Sequence, residues 1–223
     1  MKNKKLKISL ILNIIIFILT VLALLIMFTG FRFMDGTEPV LEVTKFGMLK
    51  FFTVDSNILV GLSAFIFAIE EVKLLRGKNK EINKKIYIIK LASTAAVSIT
   101  FITVFTYLGY IVEGGIAAML QNSNLFLHLI IPVLSIVTFI MFEKTNKINK
   151  KDVLFGIIPT FLYEIYYLIN ILIHMEKGKV SPIYDWYWFL QQGGVLSAVI
   201  IGPFMLLMAY LVSLILYKLN KTN

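Results

Sequence analysis

Long apolar runs alternate with short polar segments along the whole chain, and each run is close to the length that crosses a bilayer as a helix. One crossing needs about 20 apolar residues. The pattern predicts six transmembrane helices, at about 8–29, 46–69, 86–111, 124–142, 153–173 and 194–217. Neither an internal repeat nor a linker divides them. We therefore predict an all-α, polytopic membrane protein in which residues 1–223 form one six-helix bundle.

Composition supports this class. Hydrophobic residues make up 58% of the chain and charged residues 16%, which excludes an ordinary soluble domain. The net charge of +9 would suggest nucleic acid in a soluble protein, but the lysines lie in short loops between apolar runs, so we predict no nucleic-acid partner. The absence of cysteine excludes disulfides and thiolate metal sites. Two histidines and scattered carboxylates lack the spacing of metal ligands, so we predict neither a metal nor a cofactor.

The basic residues are unevenly distributed between the predicted loops. Most of them lie in the N-terminal segment, the second and fourth loops and the C-terminal segment, and Lys90 lies at the inner end of the third span. The positive-inside rule then predicts a multi-pass protein of the cell membrane with both termini in the cytoplasm. The first apolar run is too long for a signal peptide and no cleavage site follows it, so we interpret it as an uncleaved helix.

The start of the second span is unusually polar, with Thr53, Asp55, Ser56 and Asn57 close together. Polar side chains inside a span are costly unless they are paired or line a wet cavity. One interpretation is therefore a pocket. The other is that the helix begins near Thr53 and that Ser or Asp caps its first turn.

The fifth span carries a polar stripe. Tyr163, Tyr167, Asn170 and His174 recur at spacings that place them on one helix face, with Glu164 at its edge.

Further polar residues lie in the outer halves of two other spans. His128 follows the start of the fourth span, and Tyr107 belongs to a looser stripe with Thr100 and Thr103 on the third. The inner halves are nearly pure Ile, Leu, Val and Phe. We therefore predict one outward-facing polar cavity formed by spans two to five. Each member also has a structural interpretation, as a core, belt or interface residue, although an acid or imidazole within a span is a functional hypothesis by default.

Thr53 and His128 are predicted to lie at similar depths in the bundle. A hydroxyl becomes a nucleophile when a base lies within hydrogen-bond reach, and imidazole is the usual base. Asn57, Asp55 or Glu164 could each orient it. Spacing alone does not require this pairing, because no sequence motif demands it.

Three short motifs occur in order: Phe51-Phe-Thr-Val-Asp-Ser-Asn57, Leu127-His-Leu-Ile-Ile-Pro132 and Ile158-Pro-Thr-Phe-Leu-Tyr163. Together they resemble the androgen-induced FAR/AIG-type family of membrane proteins, above all its bacterial six-span relatives. Animal members of that family are threonine hydrolases of fatty acid esters of hydroxy fatty acids. The resemblance implies that Thr53 is the nucleophile and His128 its partner.

These observations lead to three functional hypotheses. The first is an intramembrane hydrolase of a lipid-like ester, in which Asn57 or Tyr163 stabilises the oxyanion or orients the base. The second is a transporter or a lipid- or small-molecule-binding protein that uses the same pocket without covalent chemistry. The third is an assembly partner of another membrane protein. In the first two, membrane lipid is the expected partner, and protein partners are not predicted.

Overall fold

The computed structural model describes residues 2–34 and 43–221, except for the side chains of residues 2, 191–196 and 198. Within this part the chain is all-α, and its one extended pairing is an isolated bridge between Glu176 and Lys179. The helices are α1 (Lys2–Thr29), α2 (Phe52–Leu75), α3 (Lys84–Ile111), α4 (Gly115–Met119), α5 (Ser123–Met141), α6 (Lys150–Ile173) and α7 (Phe189–Asn220). The all-α part of the predicted fold class is confirmed.

Five helices in the described part are long and apolar enough to cross a membrane: α1, α3, α5, α6 and, over Val199–Asn220, α7. The predicted second span corresponds to α2, which is not among them. It contains four ionisable residues, Asp55, Glu70, Glu71 and Lys73. The structure therefore agrees with a helical membrane protein but does not confirm six spans.

The predicted second span is divided at its start. A 3-10 helix, Lys45–Lys50, is followed by Phe51 in an extended conformation, and α2 begins at Phe52. No side chain caps this helix end, so the prediction of a Ser or Asp cap is wrong. The Ser56 hydroxyl instead donates to the Thr53 carbonyl, 3.1 Å away within the first turn.

Small and hydroxyl side chains hold α2 against its neighbours. Ser56 contacts Thr100 of α3 at 3.0 Å, and Ser63 contacts Ser93 at 2.7 Å. On the opposite side, a Cβ at Gly61 would come within 2.8 Å of the Thr20 methyl group of α1, so glycine is needed for this close approach. Such small-residue contacts are typical of helix packing in membranes. They fix the position of the Thr53 end of α2.

Two helices widen into π-helical segments near the Thr53 end of the bundle: Val104–Leu108 in α3 and Phe126–Ile130 in α5. Pro132 explains the second segment, because its ring would clash with the carbonyl oxygen of His128 in a regular helix. π-Helical segments inside α-helices often lie at functional sites. His128 is the central residue of the widened part of α5.

Candidate functional site

A small cavity lies where α2, α3 and α5 meet the loop before α7. Its volume is about 10 Å³, which is about the space of one water molecule. The lining residues are Met27, Phe51, Thr53, Val54, Leu108, Asn124, His128 and Tyr187. The two residues predicted as nucleophile and base therefore face the same cavity.

The imidazole of His128 is buried and held in one orientation. Its Nδ1 lies 2.6 Å from the carbonyl oxygen of Met119. A carbonyl oxygen can only accept, so Nδ1 carries the hydrogen, and in the neutral ring Nε2 is then the unprotonated nitrogen. A backbone carbonyl thus fixes the tautomer that a general base requires.

Asn57 connects the backbone of the two residues. Its Nδ2 donates to the carbonyl of Thr53 at 2.7 Å and to the carbonyl of Leu127 at 3.0 Å. The side chain is buried, and its Oδ1 has no partner among the described residues. Asn57 therefore positions Thr53 relative to His128 through the backbone, and its amide hydrogens are already used.

A much larger chamber adjoins the small cavity. Its volume is about 340 Å³, within the range of small-molecule sites, and it lies between α2, α3, α6 and α7. Apolar side chains dominate the wall. Thr53, Leu108 and Tyr187 line both the chamber and the small cavity. Thr53 therefore stands on the boundary between an apolar chamber and the His128 imidazole.

Several buried polar atoms at these cavities have no hydrogen-bond partner within the described part of the chain. They are Thr103 Oγ1, Thr160 Oγ1 and Glu164 Oε1 on the chamber wall, and Asn124 Nδ2 on the small cavity. Buried polar groups are normally satisfied, so each such group calls for an explanation. A ligand that fills the cavities would supply the missing partners.

An aromatic cluster covers this end of the bundle. The hydroxyl of Tyr163 donates to the Lys50 carbonyl at 2.6 Å and accepts from Trp186 Nε1 at 3.0 Å. The hydroxyl of Tyr187 accepts from the Phe52 amide at 3.0 Å. These bonds fasten the loop before α7 to the start of α2.

Tyr187 is a neutral hydrogen-bonding group at this boundary. Burial, with a smaller contribution from the nearby charge of Asp55, raises the pKa of Tyr187 to about 12. The phenol therefore keeps its proton at neutral pH.

The polar stripe on α6 divides into two parts. Tyr163, Glu164 and Tyr167 line the chamber, as does Tyr107 of α3. Tyr167 also donates to Asp185 of the covering loop.

Four predicted pocket residues, Asp55, Asn57, Asn170 and His174, do not line either cavity. Asn170 donates to the carbonyl of Tyr184 at 2.8 Å, and His174 stacks on the Tyr184 ring at 3.6 Å. Asn170 and His174 contact the loop before α7 and not the chamber, because they lie at the end of α6, which ends at Ile173. Asp55 lies within electrostatic range of the Tyr187 phenol, and Asn57 donates to the carbonyls of Thr53 and Leu127.

Two polar residues of the small cavity, Asn124 and Tyr187, were not among the predicted site residues. Asn124 lies one helical turn before His128, so i, i+4 spacing was the available signal. Tyr187 lies in the loop before α7, outside every predicted span. Nothing in the sequence indicates that its loop folds back over Thr53.

Comparison of the chain with family models, curated proteins and solved structures finds no match. Among the described residues, no three His, Cys, Asp or Glu side chains are grouped as metal ligands would be.

Proposed function

We propose that this protein is an intramembrane hydrolase that cleaves a lipid-like ester with Thr53 and His128. The observation that carries the proposal is the position of Thr53, on the wall shared by the apolar chamber and the cavity of His128. An ester with its acyl chain in the chamber would present its carbonyl carbon at this wall.

The first half of the reaction forms an acyl-threonine. Thr53 Oγ1 attacks the ester carbonyl carbon while His128 Nε2 takes the hydroxyl proton. The tetrahedral intermediate then collapses, the bond to the alcohol oxygen breaks, and His128 returns the proton to that oxygen. In the second half, a water gives its proton to His128 and attacks the acyl carbon, which releases the acid and restores the Thr53 hydroxyl.

Asn124 is the best-placed group for the developing oxyanion. Its buried Nδ2 lines the cavity of Thr53 and His128 and has no hydrogen-bond partner among the described residues. Preorganised donors of this kind are among the largest contributions to acyl-transfer catalysis. The predicted alternatives are less suitable, because both the amide of Asn57 and the hydroxyl of Tyr163 already donate to backbone carbonyls.

The chamber supports an acyl chain rather than a polar substrate. Its wall is mostly apolar, and burial of each methylene contributes about 0.8 kcal/mol. We further propose that α2 is the sixth span and that the cavities open toward the outer leaflet of the cell membrane, with both termini in the cytoplasm. The distribution of lysines supports this orientation.

Turnover of a fluorogenic long-chain ester by purified variants tests the proposal. Thr53→Ala and His128→Ala should each reduce kcat by roughly 10³-fold or more, and the double variant should lose little further because the pair acts as a unit. Thr53→Ser keeps a hydroxyl and should retain measurable turnover.

Matched controls are available on the same chain. Thr106 donates to the Ile102 carbonyl at 2.7 Å, and Thr106→Ala should leave turnover unchanged. His174→Ala should do the same, because that imidazole lines neither cavity. Full turnover in Thr53→Ala would contradict the proposal.

A second candidate is a transporter or lipid-binding protein that uses the chamber without chemistry. Glu164 favours it, because its carboxyl faces the chamber 3.7 Å from the position of a Cβ at Gly202, next to Pro203 inside α7. Interrupted helices beside ionisable groups are typical of transporter sites. In that case Thr53→Ala would weaken ligand binding by about 1 kcal/mol, the value of one hydrogen bond.

A further inference from the structure

A second group of buried polar side chains lies at the opposite end of the bundle from Thr53. Its centre is Asn13 of α1, which is fully buried. Asn13 Nδ2 donates to Glu71 Oε2 of α2 at 3.2 Å and to Glu143 Oε1, just after α5, at 2.8 Å. One amide nitrogen thus bridges two carboxyl groups.

The cluster contains one cation, Lys90 of α3, whose side chain is fully buried. Its Nζ donates to Asn13 Oδ1 at 2.5 Å and forms an ion pair with Glu143 Oε1 at 3.4 Å. Lys90 and Glu143 therefore compensate each other's charge. We call the four residues Asn13, Glu71, Lys90 and Glu143 the inner cluster.

Glu71 has no such compensation. It is 1% exposed, and no described cation lies within 4.0 Å of its carboxyl oxygens. Its hydrogen-bonding neighbours, Asn13 and the Ser9 hydroxyl, are uncharged, and Lys90, the cation in electrostatic range of it, is already paired with Glu143. With both carboxyls ionised, the cluster would hold an uncompensated negative charge in a buried site, which is strongly unfavourable.

A second observation also indicates a missing ligand. Glu143 Oε2 is buried and lacks a hydrogen-bond partner in the described part of the chain. Glu71 thus has no cation paired with it among the described residues, and Glu143 has one carboxyl oxygen without a hydrogen-bond donor.

We propose that the inner cluster is a proton-binding site in which Glu71 carries the proton while Lys90 and Glu143 remain an ion pair. The ligand is a single exchangeable proton. It neutralises the cluster, and it allows the Glu71 hydroxyl to donate a hydrogen bond toward the other members. Glu143 stays ionised because Lys90 faces it directly.

Few other titratable groups face the inner cluster. The phenol of Tyr87, on α3, lies within electrostatic range of Glu71 and Glu143 and is bonded to Thr145. Glu70 neighbours Glu71 in sequence but pairs with Lys73 at 2.7 Å and binds Asn79. Neither supplies a positive charge to Glu71.

The proposal fixes the sign of a pH dependence. A free glutamate is ionised at neutral pH, so the unfolded chain has released the proton that folded Glu71 keeps. Stability falls with rising pH wherever the folded state binds more protons. The unfolding midpoint should therefore decline from mildly acidic toward alkaline pH.

The test compares Glu71→Gln with Glu143→Gln in detergent, by thermal unfolding across pH and by infrared spectroscopy of protonated carboxyl groups. Glutamine mimics a protonated glutamate. Glu71→Gln should fold with a wild-type midpoint at neutral pH, lose one protonated-carboxyl band and abolish the alkaline decline. Glu143→Gln should lower the midpoint by roughly 10 °C, because it leaves Lys90 without its partner.

A matched variant separates this site from the neighbouring carboxyl. Glu70→Gln should change neither the band nor the pH dependence, because that carboxylate is already paired with Lys73. A wild-type spectrum without a band assignable to Glu71 would overturn the proposal. So would a Glu71→Gln variant that keeps the decline or fails to fold, or a Glu143→Gln variant that loses the band and keeps its midpoint.

Discussion

The two ends of α2 use buried polar groups in opposite ways. Thr53 and Glu71 lie on the same helix, 18 residues or roughly 27 Å apart. Around Glu71 the side chains of Asn13 and Lys90 bond directly to their neighbours. Around Thr53 the polar atoms face open space, and several of them lack partners.

This difference separates polar side chains that bond to one another from polar atoms that line an open cavity. A buried network with bonded members rigidifies the helices that contribute to it. Unpaired buried groups on a cavity wall lower stability until a ligand satisfies them, and they indicate where it binds. Substitutions at the two ends should therefore act on different quantities, stability at one end and function at the other.

The largest effect on stability is expected from Lys90→Met. Removal of the cluster's cation leaves Glu143 buried without compensation, which should lower the free energy of unfolding by about 3–5 kcal/mol. Addition of Glu143→Gln should recover most of the loss. The control is Lys73→Met, which breaks a partly exposed pair and should cost about 0–1 kcal/mol. Equal losses of unfolding free energy in the two lysine variants would contradict the distinction drawn between the two ends of α2.

Asn124→Ala should affect function and leave stability almost unchanged. The loss of an oxyanion donor should lower kcat by about 10²–10³-fold with little change in KM. The unfolding midpoint should stay near that of the wild type, because Nδ2 has no described partner to lose. An unchanged kcat would remove Asn124 from the mechanism.

Gly202→Phe should shift the preferred length of the acyl chain. Gly202 lines the chamber, so a phenyl group there shortens it and should reduce kcat/KM for long-chain relative to short-chain esters by roughly tenfold. Leu207→Phe, on the exposed side of the same helix, is the matched control. An identical chain-length profile in both variants would argue against an acyl chain in the chamber.

The smallest effect is expected for single hydroxyl groups. Thr160→Val removes an unpaired buried hydroxyl and should raise the free energy of unfolding slightly, within about 1 kcal/mol. Ser63→Ala breaks the contact with Ser93 and should lower it by about 1 kcal/mol. Chemical unfolding of the two variants measures their free energies of unfolding, which should change in opposite directions. Destabilisation by Thr160→Val would indicate a partner for that hydroxyl.

The sequence predicted the all-α class and most helix bounds, because long apolar runs determine them locally. It also placed Tyr163 and Glu164 on the chamber through helical periodicity alone. Periodicity could not show that Asn170 and His174 bind the covering loop, since that contact depends on where α6 ends.

The inner halves of the helices were wrongly predicted to be nearly free of polar groups. Asn13 lies alone within an apolar run, and Lys90 was interpreted as a residue at the end of a span. Glu71 and Glu143 follow apolar runs and resemble ordinary terminal charges. Each is unremarkable in its own segment. Their association is a long-range contact between four segments, which a single sequence does not reveal.

The central claim is that Thr53 is a nucleophile activated by His128. Treatment of the purified protein with a fluorophosphonate lipid probe, followed by mass spectrometry of the labelled peptide, tests it most directly. The account predicts a covalent adduct on Thr53 that is absent in Thr53→Ala, strongly reduced in His128→Ala and unchanged in His174→Ala. A wild-type protein that binds the probe without a covalent adduct, or that carries the adduct on Ser56, would contradict it.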